Sequence, residues 1–253
     1  MPPKRKNTKV ATTVTPSTPS TTSTPSTKEI KQRNYIIHIA IQDIENPRVT
    51  RTLSVPPSIS FHQLHTAIQI AFGWAFHHHH HFEINNIPAI WLDEKPPPPR
   101  SNGPLVLLTI GNPESLTYIE DIDDGGTVTD EMTTKLSDVF ENEKYNNKYI
   151  EYTYDFGDSW EHSVLLFGRA DEAVSSDFIY CMGGEGAPVA EDVGGVPGWE
   201  HLKDVVRRYQ RKGKLDSEDK HLINWFKDQR HGGCEVWDWD LQAVNEKLSA
   251  IRL

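Results

Sequence analysis

The segment of this chain that most constrains its fold runs from Tyr154 to His162 and reads YDFGDSWEH. It follows a β-prone run that begins at Tyr149, and its Asp-Phe-Gly-Asp core is typical of a turn in which Gly157 can adopt a positive φ angle. After the turn, alternate residues share one face of a predicted strand: Trp160, His162, Val164 and Leu166. A histidine on an apolar strand face is unfavourable unless it is hydrogen-bonded or ligated. The segment therefore predicts a specified polar site inside the fold.

The N-terminal part differs in composition from the rest of the chain. From Thr12 to Thr27 every residue except Val14 is Ser, Thr or Pro, and such a segment has no apolar surface to offset its chain entropy. We therefore predict a disordered tail over residues 1–29 and a single folded domain over residues 30–253. The tail also holds a basic cluster, Pro3-Lys4-Arg5-Lys6, which is either a nuclear-import signal or simply a basic arm.

Net charge and targeting signals limit the classes of partner that the chain can have. Residues 1–33 carry a net charge of +6, which leaves −16 for the rest of a chain whose total is −10. Because an acidic domain repels phosphate backbones, we do not expect the domain to bind nucleic acid, and the basic arm is the only part of the chain that could do so. No apolar run approaches the ~20 residues of a membrane span, no secretory signal is visible, and the two cysteines form no disulfide framework. These features favour an intracellular protein, nuclear or cytoplasmic, without a membrane partner.

Hydrophobic periodicity predicts the order of the secondary-structure elements. Strands are expected at 35–42, 49–55, 78–84 and 105–110, with a further pair around the Tyr154–His162 segment. Ser60 and Gln63 form a capping box ahead of a helix that stops at Gly73. Further helices are expected at 134–140, 199–210, 217–228 and 240–251, a turn at 121–126, and irregular structure at 181–198. This pattern predicts an α+β domain with a mixed or antiparallel sheet, packed helices and a helical C-terminal end.

Five consecutive histidines, His77 to His81, stand at the start of one predicted strand. Strand parity places His78 and His80 on the face of the apolar residues that follow, and the other three toward water. Together with His162 they provide three imidazoles on apolar strand faces, which is a normal set for zinc or another divalent metal.

Nearby carboxylates extend this hypothetical metal site. Four are available as further ligands or as groups that orient the imidazoles: Asp155, Asp158, Glu191 and Asp192. The alternative is a buried network of histidine, carboxylate and Trp160 that fixes the sheet register without a metal. Glu191 and Asp192 also have the alternative of a turn that caps backbone amides ahead of the next helix.

Motifs of several enzyme classes are absent. The chain has no G-x-S-x-G, no H-E-x-x-H and no Rossmann glycine fingerprint. The glycines at 183–186 lack the Lys-Ser/Thr ending of a phosphate loop. Cys181 is either a nucleophile or soft ligand, or a small buried hydrophobe.

Several ordered motifs resemble those of the plasmid pRiA4b ORF-3-like family, from about Tyr35 to Leu248. The matching motifs are Val49-x-Arg51 with Val55-Pro56, Leu64-His65 through Phe72-Gly73-Trp74, His78-x-His80-x-Phe82, the segment from Tyr152 to His162, Cys181-x-x-Gly184, Glu191-Asp192-x-Gly194-Gly195, Asp240-Leu241 and Val244-Asn245. The family's usual second cysteine is Pro188 here, which weakens a cysteine-based metal site. The resemblance implies a compact α+β domain with a shared His/Asp/Trp cluster, and it implies no established activity.

Three functional hypotheses follow from these observations. The first is a binding or adaptor module that is not an enzyme. The second is a metal-dependent hydrolase or nuclease-like enzyme centred on His78, His80 and His162, which requires these histidines to meet a carboxylate in an open pocket. The third is a nuclear, DNA-associated factor that acts through its basic arm, and the acidity of the domain counts against it.

Overall fold

A computed structural model of the chain describes residues 32–89, 104–119, 126–229 and 235–253. The predicted tail and most of the turn predicted at 121–126 lie outside these residues, so both stay predictions. Among the described helices, none combines the length and the apolar character needed to cross a membrane.

One mixed sheet organises the described part of the chain. Its strands are β1 (Tyr35–Ile41), β2 (Thr50–Val55), β3 (His80–Pro88), β4 (Val106–Gly111), β5 (Thr127–Asp130), β6 (Lys148–Tyr154), β7 (Trp160–Arg169) and β8 (Tyr180–Glu185). They lie in the order β5-β4-β3-β6-β7-β1-β2-β8, and every neighbouring pair is antiparallel except the parallel pair of β4 and β5. The predicted α+β class with a mixed sheet is therefore confirmed.

The helices are α1 (Phe61–Phe72), α2 (Pro113–Leu116), α3 (Leu136–Phe140), α4 (Gly195–Gln210), α5 (Ser217–Gln229) and α6 (Leu241–Leu248). The capping box of α1 is present as predicted, since the Ser60 hydroxyl accepts from the Gln63 amide and the Gln63 side chain accepts from the Ser60 amide. The helix ends at Gly73. Asp240 caps α6 by accepting from the Ala243 amide, which confirms the helical C-terminal end.

Several elements differ from the sequence prediction, which did not include strand β5 or the short helix α2. Strand β8 lies in a segment that was expected to be irregular, because its glycines hide a strand pattern. At Gly184 an added Cβ would stand 2.1 Å from the Thr50 carbonyl oxygen of β2, so the glycine allows the two strands to pair. Strand β3 also differs, because it begins at His80 rather than at His78. His78 therefore lies in the loop ahead of the strand, where strand parity no longer applies.

The core lies between the sheet and α1. The Phe61 ring of the helix packs edge-on against Phe82 of β3 at 5.0 Å, and the Phe72 ring packs against His162 of β7 at 5.1 Å. Trp160 and His162 are both fully buried. The prediction that both side chains point inward from one strand is therefore confirmed.

A buried arginine ties the C-terminal region to this core. The guanidinium of Arg51 in β2 donates to four backbone carbonyls, those of Ala71, Thr50, Glu185 and Gly186. The guanidinium plane also stacks on the Trp239 ring, with Cζ 3.8 Å from the ring centroid. Burial lowers the pKa of Arg51 to about 10, so it remains charged at neutral pH. It joins β2, β8, the end of α1 and the segment before α6.

Candidate functional site

Three loops meet at the end of the sheet where β6 ends and where β3 and β7 begin. They are the turn 155–159, the loop 74–79 and the loop 191–195. Non-glycine residues with positive φ angles recur in all three, namely Phe76 at 63°, Asp155 at 59°, Ser159 at 54° and Asp192 at 58°. Such conformations cost energy and are held by their surroundings. Their concentration at one end of the sheet marks this region as a candidate site.

The turn that follows β6 is held by two aspartates. Asp155 is largely buried, and its Oδ1 accepts from the backbone amides of Gly157 and Asp158 at 2.9 and 3.3 Å. The Asp158 carboxylate accepts from the Gly194 amide at 3.2 Å. Both aspartates thus accept from backbone amides of the loops. Asp158 thus joins the turn to the loop 191–195.

Glu191 fastens the third loop to the other two. Its Oε1 accepts from the Tyr154 hydroxyl at 2.7 Å and from the Ala75 amide at 2.8 Å. Burial and the Glu191 hydrogen bond raise the pKa of Tyr154, so its hydroxyl stays a donor. Gly195, with φ of 65°, allows the same approach, since an added Cβ would lie 2.5 Å from the Asp158 carbonyl oxygen. Glu191 is therefore committed to structure.

His78 lies between the carboxylates of Asp155 and Asp192, and the Asp155 oxygen that faces it is Oδ2 rather than the Oδ1 that holds the turn. Its Nδ1 is 3.5 Å from Oδ2 of Asp155, and its Nε2 is 3.5 Å from Oδ1 of Asp192. One donor atom from each of the three residues can be chosen so that all lie within 4.8 Å of one another, and no other group of three such residues does so in the described part of the chain. We call His78, Asp155 and Asp192 the rim cluster. It brings together three of the residues singled out from the sequence.

His80 is not part of the rim cluster. It points into the protein as predicted and is 4% exposed, but its Nε2 pairs with Oε2 of Glu131 at 2.7 Å. Its ring also stacks on His65 at 3.4 Å. Burial alone would raise the pKa of Glu131, whereas hydrogen bonding and charge from His80, and then from His62, bring it below its ordinary value. His80 thus belongs to an interior hydrogen-bonded pair that joins β3 to the residue after β5.

His162 has a third environment. Its Nδ1 lies 2.9 Å from the Trp160 carbonyl and 3.1 Å from the Tyr152 carbonyl. Because carbonyl oxygens only accept, Nδ1 carries the proton and Nε2 keeps its lone pair. Nε2 is buried and has no hydrogen-bond partner among the described residues. Burial lowers the pKa of His162 to about 4, although the two carbonyls partly oppose this. The three histidines of the predicted metal site are therefore distributed over three different environments.

Sequence reasoning missed two residues that hold candidate side chains in place. Glu131 pairs with His80, and Tyr154 donates to Glu191, but neither was among the candidate residues. The Glu131–His80 pair joins positions 51 residues apart, and no local pattern marks it.

Cys181 is buried and free, and burial raises the pKa of its thiol. Both observations agree with the hydrophobic alternative for Cys181.

Known proteins resemble the chain over most of its length. The family model described as plasmid pRiA4b ORF-3-like protein matches residues 33–247. The uncharacterized protein y4hQ of Sinorhizobium fredii is 26% identical over 170 residues, which are 67% of this chain and 71% of that protein. The crystal structure of MM3350, a protein of unknown function from Methanosarcina mazei Go1, is 29% identical, with a TM-score of 0.58 over 83% of this chain and 96% of that one. None of these names carries an activity.

Proposed function

The chain belongs to the plasmid pRiA4b ORF-3-like family, and we propose that it is a binding module whose rim cluster takes up a divalent metal ion such as zinc. The observation that carries this proposal is the convergence of His78, Asp155 and Asp192 at one open end of the sheet. An imidazole and two carboxylates are a donor set that suits zinc and neighbouring divalent metals.

The spacing of the donor atoms supports an ion rather than direct hydrogen bonds. Both contacts of His78 with the carboxylates measure 3.5 Å, which is longer than a good N–H···O hydrogen bond of about 2.7–3.2 Å. Donor atoms that share a tetrahedral zinc at about 2.0 Å lie ~3.3 Å apart. The two contacts involve different ring nitrogens of His78, of which one can bind a given ion, and one donor atom from each of the three residues lies within 4.8 Å of the others. Side-chain rotation would have to close the remaining distance for the three residues to share one ion.

Unneutralised charge supports the same proposal. Neither Asp155 nor Asp192 contacts a lysine or arginine side chain in the described part of the chain. The side chain of Asp192 is 73% exposed, while that of Asp155 is 10% exposed and already fixed by two backbone amides. One ligand is thus held in place in advance, and the other can close over an arriving ion.

The test is a zinc titration of the full-length protein without an affinity tag, followed by calorimetry. Asp192→Asn and Asp155→Asn should each weaken binding by about tenfold or more, since each replaces a charged ligand atom. Asn at 155 can still accept from the Gly157 amide through its Oδ1.

The five-histidine run requires a matched control, because consecutive imidazoles can bind metal by themselves. His77→Ala removes an exposed histidine next to the site and should leave the affinity unchanged. If His77→Ala weakens binding while Asp192→Asn does not, the metal binds to the run and the proposal is wrong.

A metal-dependent hydrolase is the second candidate, favoured by the number and exposure of the ligands. Catalytic zinc sites use three protein ligands and keep a position open for water or substrate, and the rim cluster offers three ligands, one of them exposed. Zinc-dependent cleavage of bis(4-nitrophenyl) phosphate that disappears in Asp192→Asn would support an enzyme. Zinc binding without such cleavage would leave the binding module.

A further inference from the structure

A pocket lies beside the turn 155–159, on the outer face of the sheet, the face that points away from the buried side chains of His80, Tyr154 and Trp160. Its volume is about 310 Å³, and its lining consists of His81, Tyr118, Ile119, Thr153, Phe156, Ser159 and Glu161. This size lies at the lower end of the range for small-molecule sites. The sequence analysis assigned no function to this face and expected His81 to be open to water, yet its side chain is only 13% exposed.

The sheet register explains the arrangement of the pocket floor. His81 of β3 is opposite Thr153 of β6, and Thr153 is opposite Glu161 of β7. These three side chains therefore form one row across the outer face. Above the row stand two aromatic rings, that of Phe156 from the turn and that of Tyr118 from the segment after α2. Phe156 packs edge-on against His81 at 5.2 Å.

The pocket holds one carboxylate, that of Glu161, and two more stand in the row of the sheet beside it. In the next row of the same face, Glu83 is opposite Glu151, so three carboxylates stand on adjacent positions together with Glu161. In the part of the chain that the structure describes, none of the three forms a salt bridge with lysine or arginine, and Glu83 lies 3.5 Å from Nε2 of His81. Burial, and then the charges of Glu161 and Glu83, raise the pKa of Glu151 in spite of its hydrogen bond from Gln42. The repulsion among these carboxylates would be relieved by a positive charge.

Hydrogen-bonding groups on the lining match a ligand that donates hydrogen bonds. Glu161 presents a carboxylate, and Thr153 and Ser159 present hydroxyl oxygens. The Nδ1 atom of His81 is buried and has no hydrogen-bond partner among the described residues. The aromatic rings suit an aliphatic stem and can also face a cation.

We propose that this pocket binds the N–H-bearing head of an organic cation, an alkylammonium or alkylguanidinium group, with Glu161 as its counter-charge. The carboxylate and hydroxyl oxygens accept from the head, while Phe156 and Tyr118 contact the stem. This site is distinct from the rim cluster and does not depend on a metal.

Calorimetric titration of the full-length protein with n-butylammonium chloride tests the proposal. We expect saturable binding with a Kd below about 10 mM, and at least about tenfold weaker binding of the neutral analogue n-butanol. Because both probes are compared on the unchanged protein, this contrast does not depend on the folding of a variant. Equal binding of the two probes, or no saturation with n-butylammonium, would overturn the proposal.

Two variants locate the binding site. Glu161→Gln should weaken n-butylammonium binding by about tenfold, whereas Glu172→Gln, which removes an exposed carboxylate outside the pocket, should not. Unchanged affinity in Glu161→Gln would contradict the assignment. A third probe, N-acetyl-lysine methylamide, distinguishes the source of the cation. Binding as tight as that of n-butylammonium indicates a lysine side chain of a partner, and much weaker binding indicates a free amine.

Discussion

Arg51 and the rim cluster are two charged regions of the same domain, and they differ in how their polar atoms are satisfied. Arg51 is fully buried, and its donors are met by four backbone carbonyls. In the rim cluster, His78 meets Asp155 and Asp192 at 3.5 Å, and no cationic side chain faces the carboxylates in the described ranges. The charge of Arg51 therefore joins elements of the fold, whereas the charges of the rim cluster remain available to a ligand.

The interior pair of His80 and Glu131 sharpens this contrast. Their contact of 2.7 Å is a short, charge-assisted hydrogen bond away from solvent, so both groups are used. The backbone around the rim cluster is also unusual, because its loops hold several non-glycine residues at positive φ angles. Local strain of this kind costs stability, and we infer that it positions the rim cluster.

The largest expected effect is in the core beneath the rim. Trp160→Ala should lower the free energy of unfolding by about 3–5 kcal/mol, because its side chain is fully buried and packs against Trp74. Urea denaturation gives the value, and Phe178→Ala, at a residue that is 62% exposed, is the control. A loss below ~1 kcal/mol for Trp160→Ala would place this side chain at the surface and reopen a direct binding role for it.

Removal of the buried guanidinium should have the next largest effect. Arg51→Met keeps most of the stem but leaves the carbonyls of Ala71, Glu185 and Gly186 without their donor. We expect a loss of about 3 kcal/mol in the free energy of unfolding, with no change in zinc affinity. Arg211→Met, at an exposed position, is the matched control. If zinc affinity fell together with stability, the two regions would not be independent.

The pH dependence of the free energy of unfolding should show the contribution of His162. Its folded-state pKa of about 4 lies below the unfolded value of 6.5, so its contribution is complete above pH ~6.5 and is lost as the pH falls toward 4. Between pH 7 and pH 5 this loss amounts to about 2 kcal/mol. His65, whose pKa burial lowers to about 2, acts in the same direction.

Urea denaturation at the two pH values, with His162→Asn as the variant, isolates the contribution of His162. Asn does not titrate, so the variant should lose about 2 kcal/mol less than the wild type between pH 7 and pH 5. An equal loss in both proteins would show that His162 does not control this acid sensitivity.

The smallest expected effect on stability is at the rim itself. Asp192→Asn should change the free energy of unfolding by less than ~0.5 kcal/mol, because its side chain is 73% exposed. Glu131→Gln removes the same charge in the interior and should cost about 2 kcal/mol or more. If both variants lost the same stability, the distinction between the interior and the rim would fail.

Local patterns predicted much of this fold and part of the site. The capping box of α1, the turn after β6 and the inward face of Trp160 and His162 depend on neighbouring residues, and each is confirmed. Strand β8 could not be predicted, because Gly183 and Gly184 remove its side-chain pattern and its pairing with β2 is long-range. The same limit applies to His80, whose partner Glu131 lies 51 residues away.

The sequence predicted the three residues of the rim cluster as candidates, but it did not predict that these three would lie together. Asp155 and Asp192 were named as supporting carboxylates from their motifs, and His78 from strand parity. Its actual position depends on where β3 begins, since a strand that starts two residues earlier would turn His78 toward the core. Element boundaries of this kind are set by tertiary contacts rather than by periodicity.

Anomalous diffraction from crystals of the full-length protein soaked in zinc shows whether the rim cluster binds the metal. We expect an anomalous peak bonded to His78, Asp155 and Asp192 at about 2.0–2.2 Å, and no such peak in crystals of Asp192→Asn. A peak among His77, His79 and His81 with none at the rim cluster, or no peak at all, would contradict this expectation.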